Sequence, residues 1–69
     1  MRTYDVIMTV TRGITLVDEI VLYPGLLSFA TAEMLVERAN DNPHAQHLAF
    51  ELGRLYPKAI ITTRFRINN

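Results

Sequence analysis

The chain predicts an α+β fold: a three-stranded, mostly antiparallel sheet with two helices on one face, in the order β-β-α-α-β. Three observations carry this. Residues 3–11 and 14–23 alternate apolar and polar with period two around an Arg12-Gly13 break. Residues 28–56 carry two helical stripes parted by Asn-Asp-Asn-Pro. Residues 58–67 return to period two. A sheet with one apolar side is usually covered by helices on that side, which gives the layered arrangement.

In the first strand, "TYDVIMTVT", Tyr4, Val6, Met8 and Val10 share one face while Asp5, Ile7, Thr9 and Thr11 share the other. β-Branched residues and tyrosine suit that backbone. Gly13 supplies the positive φ of a tight hairpin, and "ITLVDEIVLY" resumes the apolar pattern as a second strand. Pro24-Gly25 is expected to stop it, because proline cannot donate to a ladder.

The first helix, "SFATAEMLVERAN", places Phe29, Ala32, Leu35, Val36 and Ala39 on one stripe, with Ser28 or Thr31 as its cap. Asn42 and Pro43 suit the cap and first position of a second helix. There Ala45, Leu48, Ala49, Leu52, Leu55 and Tyr56 line up, and Pro57 ends the run. The last strand, "KAIITTRFRI", sets Ile61, Thr63, Phe65 and Ile67 against Ile60, Thr62, Arg64 and Arg66. Periodicity leaves open whether it pairs with the first or the second strand.

Sixty-nine residues allow one compact domain, 1–69, with a core small for its surface. Seven basic and seven acidic residues cancel, so the long-range attraction of a strongly basic protein for phosphate is missing. The absence of cysteine excludes disulfides, thiolate metal sites and a cysteine nucleophile, and points to a reducing, cytoplasmic setting. The longest apolar tract is broken by Pro24-Gly25 and contains Glu33, so no membrane span is expected.

No set of residues suggests an active site, and no catalytic residue, cofactor or metal is expected. The glycines are scattered and form no phosphate loop. Asp18 and Glu19 are adjacent, so in a strand they point to opposite faces and cannot share a substrate. His44, His47 and Glu51 lie along one side of the second helix, but that spacing lacks a further ligand group; a His47–Glu51 surface pair is the simpler outcome.

The leftover surfaces are more informative. With Tyr4, Val6, Met8, Val10, Ile14, Leu16, Ile20, Leu22, Ile61 and Phe65 in the core, the helix-free face receives Ile7, Val17, Val21, Tyr23 and Ile60. That is more apolar surface than water requires. Either this is an ordinary half-exposed sheet face carrying residues of high β-propensity, or a bulge near Asp18-Glu19 exchanges the faces in mid-strand, or the face is an association surface. Direct contact with nucleic acid is a third option.

Phe50 projects from the side of its helix opposite Leu48, Leu52 and Leu55, marking a second contact candidate. Arg64 and Arg66 share a face with Asp5 and Glu19 and are expected to pair with those carboxylates, within the fold or across a dimer. The expected function is therefore a small non-catalytic interaction module that binds a protein partner and forms a homodimer. An inhibitor or regulator of the kind carried by phages and mobile elements fits this economy. Its contact residues would be Ile7, Val17, Val21, Tyr23, Phe50, Arg64 and Arg66. The alternative is nucleic-acid binding through the basic ending, Arg54, Lys58, Arg64 and Arg66; with Tyr4 and Phe65 in the core, only Tyr23 is left to stack on bases.

Overall fold

A computed structural model, described over residues 1–68, contains β1 (Thr3–Arg12), β2 (Thr15–Leu26), α1 (Phe29–Asp41), α2 (Pro43–Leu55) and β3 (Ile60–Asn68). The three strands form one antiparallel sheet in the order β2-β1-β3. This is the α+β arrangement expected, and it answers the open question of pairing: β3 lies beside β1. The central position of β1 matches its burial, which is continuous from Asp5 to Val10 on both faces.

The hairpin between β1 and β2 has a two-residue loop, Gly13-Ile14, with Gly13 at φ +61°. Ile14, expected in the core, stands at the tip of this turn and is fully exposed. The register between β1 and β2 then slips three times. Val10 faces Asp18 and Thr11 faces Leu16, which leaves Val17 without an opposite residue. Such a bulge turns successive side chains toward one side.

This first slip corrects two placements. Val17 packs against the core instead of the helix-free face, and Leu16, opposite Thr11, is exposed on the outer face instead of buried. A second slip places Tyr23 opposite Val6 and leaves Leu22 as the extra residue. Leu22 joins the core, and Tyr23, expected on the helix-free face, follows it to the helix side. A third slip sets Pro24 and Gly25 across from Asp5, so β2 continues to Leu26 where a stop was expected. An edge strand tolerates proline, because the missing donor costs no ladder bond.

Both helix caps form as their chemistry requires. The Ser28 hydroxyl accepts from the Thr31 N–H at 3.3 Å, opening α1. Asn42 serves both helices: its N–H donates to the Ala39 carbonyl, and its Oδ1 accepts from the N–H groups of His44 and Ala45 at 2.8 and 3.2 Å. One residue thus closes α1 and opens α2, and Pro43 occupies the first turn of the second helix.

The main core is centred on Met8, Val10 and Leu52, with Val17, Ile20, Leu22, Ala45, Leu48, Ala49 and Tyr56 around it. Leu55, expected on the same stripe, is the last residue of α2 and lies exposed at its margin. Toward the far end of the sheet, Tyr4, Phe29 and Phe65 meet edge to face with ring centroids 5.0–6.4 Å apart. Tyr56 completes the hairpin end: its hydroxyl donates to Asp18 Oδ2 at 2.8 Å, tying the Val17 bulge to the end of α2. That bond, more than burial, pushes the phenol pKa above its ordinary value.

Candidate interaction surfaces

Asp5, Ile7 and Thr9 lie on the face of β1 without helices, yet all three are buried. Their cover comes from neighbouring strands. Arg66 lies opposite Asp5 on β3, and Glu19 lies opposite Thr9 on β2. The Arg66 guanidinium spans the gap, donating through Nη2 to Asp5 Oδ2 at 3.0 Å and through Nη1 to Glu19 Oε1. Between Asp5 and Thr9 on β1 lies Ile7, whose exposure is 0%. Ile7 was expected among the exposed contact residues; it is instead fully buried, with Val21 and Arg64 opposite it on the flanking strands and the Arg66 ion pairs to Asp5 and Glu19 on either side of it along the face.

Asp5 is the junction of this layer. Its Oδ1 accepts from the Gly25 N–H at 2.9 Å, while Oδ2 accepts from Arg66 and from the Asn68 side-chain amide. The Gly25 N–H contributes most, then Asn68, then Arg66, and together they hold the carboxyl down to about 2. The same pairing, with Glu19, raises the Arg66 pKa further. One carboxylate therefore pins the kinked end of β2 and the end of β3 to the central strand.

The two arginines expected to act alike are thus separated. Arg66 is held by Asp5 and Glu19, as the shared face suggested. Arg64, opposite Ile7, is exposed and makes no ion pair among the described residues. Beside it across the sheet is Val21, half-exposed, and toward the hairpin Leu16 and Ile60 flank Thr11, both exposed. The outer face is therefore a charged bridge with an apolar margin, not a continuous apolar sheet.

On the helical layer Phe50 is 63% exposed, on the side away from Leu52, which is where its position in α2 puts it. Tyr23 and His44 line an apolar groove of about 280 Å³ between β2 and the helices, together with Leu22, Ala39, Ala45 and Leu48. Glu51 pairs with Arg54 at 3.6 Å, where His47 was expected to be its partner. Asp18 and Glu19 do diverge, one to Tyr56 on the helix side and the other to Arg66 on the outer face.

The two outer strands present different edges. β2 has three register slips and Pro24. β3 keeps one register with β1 from Thr3↔Asn68 to Thr11↔Ile60. Among the described residues, no backbone hydrogen bond outside the ladder involves β3, so its outward N–H and C=O groups have no protein partner. No composition or periodicity signal marks such an edge, because it depends on which strand takes the centre.

No described helix is long and apolar enough to cross a membrane. Compared with protein-family models, curated proteins and solved structures, the chain matches none.

Proposed function

We propose that this chain is a non-catalytic interaction module that works by binding a protein partner and by self-association. One observation carries the reading: sizeable apolar side chains remain outside on both layers. Leu16, Val21 and Ile60 stand on the sheet, and Phe50 and Leu55 on α2. The accessible surface of 4842 Å² for 7.9 kDa also exceeds the roughly 4,400 Å² typical of a monomer of that mass. Apolar surface of this kind is what partner binding removes from water. A small regulator or inhibitor would need no more than such surfaces.

The divergence of Asp18 and Glu19 supports the non-catalytic side of this reading. The engagement of Arg66 with two carboxylates favours a protein partner over nucleic acid, since it leaves Arg64 as the one unpaired arginine on that face among the described residues. Affinity capture from the source cell, comparing the unaltered chain with Phe50→Ala and Val21→Asp, tests the proposal. One protein, retained by the unaltered chain and lost with at least one variant, is the expected result. Retention of nucleic acid instead, released by salt and abolished by Arg64→Glu, would replace it.

A further inference from the structure

We infer that the partner of the β3 edge is a second copy of this chain, paired antiparallel with β3 about a two-fold axis at Thr63. The inference rests on the self-association part of the proposed function and gives it a geometry. The Thr9 and Thr11 hydroxyls donate to the carbonyls of Thr62 and Ile60, so those carbonyls face β1. By the alternation of an antiparallel ladder, the backbone groups of Ile61, Thr63 and Phe65 then face outward, ready for another strand.

The side chains of β3 are complementary to their own reverse. About Thr63, Ile61 falls opposite Phe65 of the partner subunit on the helix side, an apolar pair of the kind that stabilises strand contacts. On the outer face Thr62 falls opposite the partner subunit's Arg64, and Ile60 opposite the partner subunit's Arg66, so no like charges meet directly. The alternative centre at Arg64 would set that arginine against its own copy. Zero net charge removes general repulsion between copies.

Closure also favours a pair. A two-fold contact uses the same edge on both subunits, giving a six-stranded sheet in the order β2-β1-β3-β3-β1-β2. Its outer edges are the two β2 strands, each interrupted by register slips and Pro24. Bulges and proline are devices that stop further strand addition. Assembly therefore ends at two copies.

Thr62 is exposed and its side chain makes no hydrogen bond among the described residues, which allows a test with opposite signs at one position. Thr62→Lys places like charges across the axis twice, and Thr62→Glu places opposite charges there twice. Sedimentation equilibrium of the full chain should show a dimer, weakened about three- to thirtyfold by Thr62→Lys and tightened by a similar factor by Thr62→Glu. In a chain without native cysteine, Thr62→Cys should be joined by a short bis-maleimide, because diagonal neighbours across paired strands are about 7–8 Å apart. Leu16→Cys, on β2, should not be joined.

A monomer at high concentration, equal dimer strength in both charge variants, or equal cross-linking at the two cysteines would overturn the inference. A monomer that still captures a protein from the cell refutes the two-fold edge while leaving partner binding in place. A monomer that captures nothing refutes both.

Discussion

β2 and β3 flank the same central strand, yet they leave the sheet with different edges. β2 takes three register slips, carries Pro24, and turns Val17, Leu22 and Tyr23 toward the helices as a result. β3 takes none and keeps strict alternation along its length. The difference has a cost on each side. An irregular edge gives up ladder regularity but resists pairing with other chains; a regular edge keeps its ladder and offers it outward. The two edges of one small sheet thus differ in regularity, and the inferred pairing uses the regular one.

The largest effect should come from breaking what the two edges share. Met8 is almost fully buried at the centre of the core, and Met8→Ala is expected to cost about 2–5 kcal/mol by denaturant unfolding. Amide exchange should then rise in β2 and β3 together; a rise confined to one strand would show that β1 does not couple them.

Acid should loosen both edges at one end of the sheet. The Asp5 carboxyl is held at about 2 in the fold against 3.8 ordinarily. A depressed pKa contributes stability that is fully present above the unfolded value and is lost as pH falls through the folded one. The contribution should therefore persist down to about pH 4 and fade by about pH 2. Thermal melts of Asp5→Asn and the unaltered chain should differ most near neutrality and converge through that window. A constant difference would place the role of Asp5 outside its charge.

The smallest change sharpens the contrast by touching β2 alone. Gly25 sits at φ +68° with open space where a methyl group would project, so Gly25→Ala meets only backbone strain. A loss of about 1–2 kcal/mol is expected, with exchange raised at the amides of Tyr23, position 25 and Leu26 and the β3 amides unmoved. Equal disturbance in β3 would mean that Asp5 transmits the strain across the sheet.

Much of the architecture was legible in local chemistry. Ser28, Asn42 and Pro43 mark the helix boundaries because capping is decided within a few residues. Arg66 could be matched to Asp5 and Glu19 because period two puts all three on one face. The errors gather in β2, where Leu16, Val17 and Tyr23 each lie on the side opposite to that expected. Alternation propagates any unseen bulge along a strand, since one extra residue reverses every side chain beyond it. Ile7 failed for another reason: it is buried because β1 takes the centre, with Val21 of β2 and Arg64 of β3 opposite it, and those neighbours come from distant parts of the chain.

From the order of residues alone came the α+β class, the five elements and their sequence, the helix caps and the divergence of Asp18 from Glu19, all governed by contacts within a few residues. Tertiary pairing decided that β1 lies in the middle, that Ile7 is buried and Arg66 held by two carboxylates while Arg64 stays exposed, and that β3 presents the regular edge. These follow from which strands meet and in what register, and such long-range choices are made by the burial of the whole sheet rather than by any one segment.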